Sequence, residues 1–212
     1  MNTTSVRPSQ GAGPAAIDFY FDFSSPYGYF MAERIDDLAA RFGRRVCWHP
    51  FLLGAVYKQF GGQPLPSLPL KGPYSMHDFE RSGRFYGIPC RIPDPFPVGT
   101  QHAARAFYWL AAQDEAVARR FAQAVFRAYF SEGRDISQAD VVADIAATLG
   151  AQREALLAGI ADETVKRQLR EVCATALERG VFGSPYVLID NEPFWGADRL
   201  PQIERWLETG GF

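Results

Sequence analysis

The clearest hydrophobic pattern in the chain changes its period near residue 25. Before that point apolar side chains alternate with others, as in a strand with one buried face; they are Ile17, Phe19, Phe21 and Phe23. After it, apolar side chains recur at three- and four-residue steps from Tyr27 to Phe42, as on an amphipathic helix. The pattern therefore predicts a strand followed directly by a helix.

Pro26 indicates where that helix begins. Proline lacks the N–H that would have no partner in the first turn, and its φ is already close to helical. Ser25 is then predicted to be the N-cap residue, whose hydroxyl accepts a hydrogen bond from a backbone N–H. At a junction between a strand and a helix the same hydroxyl can also face a ligand. On this stretch alone both interpretations remain open, and the ordinary cap is the more common one.

A second pattern, far along the chain, favours the ligand interpretation. A short loop over residues 181–185 ends in Ser184-Pro185 and leads into the apolar run from Tyr186 to Ile189. Because proline cannot donate to a sheet, Pro185 is predicted at the start of a strand. The peptide bond between Ser184 and Pro185 is a candidate for the cis isomer.

The remaining periodicity predicts one more strand of the core sheet and a series of helices. Residues 46–51 are expected to pair in parallel with the first strand. Residues 54–73 are rich in glycine and proline and are predicted to form a mobile loop. The predicted helices cover 76–86, 101–112, 116–130, 138–148 behind a Ser137-x-x-Asp140 capping box, a stretch from Val165 to Leu177, and 198–207, with a hairpin around Asp190-Asn191 before the last one.

This order of elements resembles a thioredoxin-type domain, in which the helix begins Cys-Pro-x-Cys. The resemblance implies an α/β fold, with a thioredoxin-like domain over 17–53 and 177–212 that is split by an all-helical insertion over 54–176. The corresponding residues here are Ser25-Pro26-Tyr27-Gly28, so both sulfurs are absent. A dithiol–disulfide cycle needs two thiols, and none can run at this position. The chain is instead expected to bind the thiol of another molecule, for which glutathione is the candidate.

Composition and charge exclude several classes of function. The 212 residues are 47% hydrophobic, enough for a substantial core, and the net charge is −2 without a basic stripe, which argues against nucleic acid as a partner.

No run approaches a membrane span, and residues 1–16 are predicted to be a disordered leader rather than a signal peptide. The scattered histidines have no metal-ligand spacing. The three cysteines lie far apart among apolar residues, which indicates buried thiols and a reducing, cytoplasmic compartment.

Six segments, taken in order, are similar to those of the 2-hydroxychromene-2-carboxylate isomerase family and its kin, the kappa-class glutathione transferases. The resemblance covers nearly everything after Ala16. The segments are Phe21-Asp22-Phe23-x-Ser25-Pro26-Tyr27, Pro50-Phe51-Leu52-Leu53-Gly54, Leu70-Lys71-Gly72-x-Tyr74, Tyr86-Gly87-Ile88-Pro89, Val181-Phe182-Gly183-x-Pro185 and Phe194-Trp195-Gly196-x-Asp198-Arg199-Leu200.

The resemblance implies a site for glutathione with four parts. Ser25 corresponds to the serine that holds the glutathione sulfur, with Ser24 as its rival. Ser184 corresponds to the residue whose backbone pairs with the cysteinyl part like an added strand. Asp198 corresponds to the acid that meets the γ-glutamyl ammonium, and Lys71 to a lysine that pairs with a carboxylate. Taken without the family, Asp198 is equally well an ordinary N-cap and Lys71 an ordinary loop lysine.

Two positions depart from the family. Ala197 stands where relatives carry Ser or Asn, and Gly62 stands where kappa-class relatives carry Asn, so two side-chain contacts to glutathione are expected to be missing. Gln63 is the neighbour that can replace the second one.

The implied activity is a glutathione-dependent isomerisation of 2-hydroxychromene-2-carboxylate and trans-o-hydroxybenzylidenepyruvate-type aromatic compounds, in a homodimer. Two alternatives stay open at this point. One is a kappa-class-like transferase that conjugates glutathione to electrophiles. The other is a non-catalytic module that binds thiols or peptides.

Overall fold

A four-stranded sheet lies at the centre of the thioredoxin-like part. The computed structural model describes residues 16–212, so the predicted leader over 1–16 lies, except for its last residue, outside the described residues. The strands are β1 (Ile17–Phe21), β2 (Val46–Pro50), β3 (Tyr186–Ile189) and β4 (Glu192–Trp195), in the spatial order β2-β1-β3-β4. β1 and β2 are parallel, whereas β3 is antiparallel to both β1 and β4. The predicted parallel pair and the predicted hairpin are confirmed.

The helices of the described residues fall into two groups. α1 (Pro26–Ala32), α2 (Ile35–Arg41) and α10 (Leu200–Thr209) belong to the segments that carry the sheet. Between β2 and β3 all the regular secondary structure of the chain is helical, which confirms the α/β fold class with its helical insertion. This second group comprises α3 (Leu53–Phe60), α4 (Lys71–Tyr86), α5 (Gln101–Ala111), α6 (Glu115–Arg127), α7 (Ala139–Ala147), α8 (Arg153–Ala161) and α9 (Glu163–Glu178).

Several predicted boundaries are wrong. The helix predicted from residue 27 to 42 is two helices, with the break at Glu33 and Arg34. Residues 54–73 are not a continuous mobile loop, because α3 and a 3₁₀ turn over Leu65–Ser67 lie within them and α4 already begins at Lys71. α8 was not predicted at all.

Two predicted helix starts are also corrected. The capping box at Ser137 does not form, because Gln138 occupies the cap of α7 and the Ser137 N–H is bonded to the carboxylate of Asp135. The last helix begins at Leu200 rather than at residue 198, after a 3₁₀ turn over Ala197–Arg199.

Aromatic packing fixes α1 between the sheet and α6. The ring of Phe126 on α6 lies 5.5 Å from the ring of Phe21 and 5.1 Å from that of Phe23, between centroids. On its other side Phe126 stacks on Tyr29 of α1 at 5.7 Å. All four side chains are buried, and each such ring pair adds about 0.5–1.5 kcal/mol beyond the area that it removes from water. The start of α1 is therefore held rigidly at the carboxyl end of β1.

Candidate active site

Ser25 caps α1 as predicted. Its backbone is extended, with φ −98° and ψ 113°, and Pro26 is the first residue of the helix. The Gly28 N–H donates a hydrogen bond of 3.1 Å to Ser25 Oγ. The residue is only 6% exposed. One acceptor position of the hydroxyl is thus used by the helix, as in an ordinary N-cap.

The proton of the same hydroxyl is directed at the second predicted loop. Ser25 Oγ donates to the carbonyl oxygen of Ser184 at 2.9 Å, and the peptide bond between Ser184 and Pro185 is cis. Two stretches 159 residues apart in the chain are therefore in direct contact. Among residues 16–212, the Ser184 N–H has no hydrogen-bond partner, so this loop presents a free backbone donor beside the Ser25 hydroxyl.

The side chain of Ser184 has a structural role that the sequence did not predict. Its Oγ accepts a hydrogen bond of 2.9 Å from the N–H of Asp22. It also occupies the space above Gly28, where a Cβ atom would lie 2.9 Å from Ser184 Oγ and 3.3 Å from Ser25 Cβ. Gly28 stands where a thioredoxin-type motif carries its second cysteine. That position leaves no room for a side chain unless Ser184 moves.

Asp22 ties these loops to the helical part of the chain. Its carboxylate accepts hydrogen bonds from the Ser24 N–H and the Thr100 hydroxyl at 2.9 Å each, and from the Leu53 N–H at 2.8 Å. The side chain is buried. Burial raises the pKa of the Asp22 carboxyl above its usual value, although the three donors act in the opposite direction. Asp22 thus orders three separate segments around the start of α1.

Ser24, the rival of Ser25, is directed elsewhere. Its N–H is bonded to Asp22, and its Oγ accepts a hydrogen bond of 3.3 Å from the N–H of Val98. Ser24 therefore helps to hold the stretch before α5, whereas Ser25 contacts the cis-proline loop.

The segment that carries Asp198 is bonded to the cis-proline loop, because the Gly196 N–H donates to the Pro185 carbonyl at 3.1 Å. Arg34, which follows α1, donates to the Ala197 carbonyl of the same segment at 3.2 Å. The Asp198 side chain is 67% exposed and lies 3.6 Å from the guanidinium of its neighbour Arg199. It is an exposed carboxylate, available to a cation in solution.

Lys71 is exposed at the first position of α4. α4 packs against α1 through Tyr27, whose hydroxyl donates to the carboxylate of Asp78 and whose ring lies 5.0 Å from that of Phe79. Among residues 16–212, the Lys71 side chain has no hydrogen bond or ion pair. The structure thus brings Ser25 and Ser184 into contact and bonds the segment of Asp198 to Pro185 through Gly196. It shows no contact between Lys71 and the other three residues.

Aromatic side chains border the cis-proline loop. Trp195 is 55% exposed and its ring lies 4.8 Å from that of Phe182, which is half exposed. Tyr86, at the end of α4, lies beneath the guanidinium of Arg34 at 3.8 Å. An apolar partner for an aromatic ligand is therefore present at Trp195 and Phe182.

Sequence reasoning missed Asp22 and Thr100. The only signal for Asp22 is a carboxylate directly after a mostly apolar strand. Thr100 gives no signal, because its partner is 78 residues away in the chain. In the described part of the chain, no group of His, Cys, Asp and Glu is arranged to hold a metal ion, and no helix is long and apolar enough to cross a membrane. The three thiols there are unbridged; Cys173 is buried, while Cys47 and Cys90 are partly buried.

Comparison with known proteins identifies the family. The DSBA-like thioredoxin domain model matches residues 16–208. The chain belongs to this family. It is 30% identical over 190 residues to the 2-hydroxychromene-2-carboxylate isomerase of Pseudomonas putida, covering 89% of this chain and 92% of that protein. It is 28% identical to glutathione S-transferase kappa 1 of Caenorhabditis elegans, with 91% of this chain and 90% of the other covered.

The solved structures agree with the sequences. The structure of a 2-hydroxychromene-2-carboxylate isomerase superposes with a TM-score of 0.83 at 29% identity, covering 92% of this chain and 95% of that one. The predicted resemblance to the isomerase family, and with it the prediction of an isomerase-type enzyme, is confirmed. The loss of both motif cysteines separates this member from the dithiol chemistry that the thioredoxin motif otherwise serves.

Proposed function

We propose that the protein is a glutathione-dependent isomerase that interconverts 2-hydroxychromene-2-carboxylate and trans-o-hydroxybenzylidenepyruvate-type aromatic compounds. The observation that carries the proposal is the contact between the Ser25 hydroxyl and the backbone of Ser184, the residue before the cis-proline. A hydroxyl in this place can donate to a sulfur but cannot be trapped with it in a disulfide. The relatives named as isomerases support the reaction class.

The residues fit glutathione on structural grounds. The free N–H of Ser184 and its carbonyl can pair with the peptide backbone of a tripeptide. The exposed carboxylate of Asp198 and the exposed ammonium of Lys71 suit its charged ends. When bound, glutathione supplies a thiolate that adds reversibly to a conjugated double bond, which permits rotation about that bond without net oxidation.

To stabilise the sulfur of glutathione, the Ser25 hydroxyl has to exchange its present hydrogen-bond acceptor for that sulfur. Its single proton is donated to the Ser184 carbonyl, so the hydroxyl must rotate toward the sulfur to stabilise it. A ligand amide that pairs with the Ser184 carbonyl competes for the same acceptor and releases the hydroxyl. A free thiol has a pKa near 8.5 and is only about 3% ionised at pH 7. One hydrogen bond to the charged form, worth about 1.5–3 kcal/mol, raises that fraction substantially.

Turnover of Ser25→Ala tests the proposal. We expect kcat for the chromene acid to fall roughly ten- to a hundredfold, while glutathione still binds through Ser184, Asp198 and Lys71. Ser24→Ala is the matched control and should retain nearly full turnover, because Ser24 is bonded to Val98 rather than to the cis-proline loop. Unchanged turnover in Ser25→Ala would mean that Ser25 only caps the helix and has no part in the reaction.

A kappa-class-like transferase is the second candidate, since the similarity to the kappa-class protein is nearly as high as that to the isomerases. The two activities can share one site for the thiol. Isomerisation of the chromene acid and conjugation of an aryl halide, measured at the same glutathione concentration, distinguish them. Activity with the halide alone would favour the transferase.

The predicted homodimer and cytoplasmic compartment also belong to the proposal. Leu70, Tyr74 and Phe85 on and beside α4 expose large apolar surfaces, with Leu70 90% exposed, and such surfaces are suited to an interface between copies. Light scattering at micromolar concentration should give the mass of a dimer. A monomer would remove this part of the proposal.

A further inference from the structure

A groove with a volume of about 740 Å³ lies between α3, α5 and α9. Its size falls in the range of sites for small molecules. None of the four residues predicted for glutathione lines it. It approaches the Ser25 region at Leu52, whose neighbour Leu53 donates to Asp22.

The charged side chains that line the groove are mostly basic. Four basic side chains line it, and Glu178 is its single acidic lining residue. The basic residues are Lys58, Arg105, Lys166 and Arg170. Lys166 already forms an ion pair with Glu163, with 2.7 Å between Nζ and Oε1. Glu163 is not itself a lining residue. The remaining three cations have no ion pair within residues 16–212, although Glu163 also attracts Arg105 and Arg170 at longer range. Four cations thus face two carboxylates, and the groove keeps a positive charge that suits an anion.

Arg105 is the most constrained of these cations. It lies on α5 and is partly buried, and its Nε is fully buried without a hydrogen-bond partner among the described residues. Because that Nε is out of reach of a ligand, the two terminal nitrogens of the guanidinium, which have no hydrogen bond among residues 16–212, are the donors for an anion. The planar guanidinium fork matches the two oxygens of a carboxylate.

The floor of the groove is apolar. Leu169 and Cys173 on α9 are buried there, and the partly buried Leu52 and Leu177 border them. A ligand for this surface needs a hydrophobic body next to its charge. A fully polar anion such as phosphate would leave these side chains uncovered.

We propose that this groove is a second binding site, which takes an aromatic carboxylate with the carboxylate on Arg105 and the ring on Leu169 and Cys173. The site is independent of the reaction proposed at Ser25. It binds its ligand in the absence of glutathione, and its ligand is of the same chemical class as an aromatic acid substrate or product.

Calorimetric titration with trans-cinnamate, without glutathione, tests the site. We expect saturable binding with a Kd on the order of 100 μM. Arg105→Gln should weaken it about tenfold or more, the loss expected for one charged hydrogen-bonded pair. Arg120→Gln is the matched control, because Arg120 is exposed on α6 and outside the groove, and should leave the Kd unchanged. Methyl cinnamate, which lacks the charge, should bind at least tenfold more weakly than trans-cinnamate.

A second variant and a second readout locate the ligand. Ala174 is exposed on α9 and lines the groove, so Ala174→Trp should fill it and abolish binding without a buried substitution. Bound cinnamate should slow the alkylation of Cys173 by iodoacetamide, measured by mass spectrometry, but not that of Cys47 on β2. No saturable binding, or binding that persists in Ala174→Trp with Cys173 unprotected, would overturn the proposal. Either result leaves the Ser25 mechanism untouched.

Discussion

The two ends of the candidate active site are built in different ways. Ser25 and Ser184, where the sulfur would lie, are buried and bonded to each other and to the backbone around them. Asp198 and Lys71, where the charged ends of glutathione would lie, are exposed and hold no tight partner among the described residues. Folding alone therefore fixes the residues at the sulfur end, whereas the residues at the charged ends gain a partner only when the ligand binds. Substitutions at the first end should affect stability and chemistry together, and those at the second end should affect binding alone.

The largest effect is expected at Asp22. Asp22→Ala leaves three donors without an acceptor, the buried hydroxyl of Thr100 and the partly buried N–H groups of Ser24 and Leu53. We expect the free energy of unfolding to fall by about 3–5 kcal/mol, measured by urea denaturation. Asp37→Ala, at an exposed carboxylate on α2, is the control and should cost less than about 1 kcal/mol. Similar losses in both variants would mean that the Asp22 network contributes little.

A smaller effect is expected at Gly28. Gly28→Ala places a methyl group 2.9 Å from Ser184 Oγ, so the two loops must separate. We expect a loss of about 1–2 kcal/mol in stability, after the better helix propensity of alanine is allowed for, together with reduced turnover.

Two further variants test the cause of that loss. Gly54→Ala on α3 has no atom within 4 Å of the added Cβ and should be neutral or stabilising. Adding Ser184→Ala to Gly28→Ala should recover part of the lost stability, because the contact is then relieved. If the double variant is no better than the sum of the two single variants, the clash with Ser184 is not the cause.

The smallest effects are expected at the charged ends. Lys71→Ala and Asp198→Ala should each raise the Kd for glutathione about three- to tenfold, because an exposed ion pair contributes on the order of 1 kcal/mol. Unfolding free energy and kcat at saturating glutathione should stay unchanged. Arg120→Ala, at an exposed cation on α6 outside both sites, is the control for Lys71. A large loss of stability in either variant would contradict the distinction between the two ends.

The same distinction governs how much could be predicted from the sequence. The strand before Ser25, the cap at Ser25 and the strand after Pro185 follow from local periodicity and from the backbone limits of proline, so they were predictable. The contacts of Asp22 with Leu53 and Thr100 depend on packing between segments that are 31 and 78 residues apart, which no local pattern records.

The wrong boundaries have a related cause. α3 was hidden because the glycines and prolines around it favour a loop, and its burial depends on a single side chain, Val56. Of the four predicted site residues, Ser25 and Ser184 are brought together by the fold. The binding roles of Lys71 and Asp198 remain predictions, because nothing in the surroundings of these exposed charges indicates which ligand they bind.

The most direct test of the central claim is the titration of the thiol of bound glutathione, followed by thiolate absorbance against pH. If Ser25 donates to the sulfur, wild type should show a pKa well below the usual 8.5 of a thiol, and Ser25→Ala should move it up by about 1–2 units. Ser24→Ala should leave it in place. A midpoint that is unchanged in Ser25→Ala, or that moves further in Ser24→Ala, would contradict the role of Ser25.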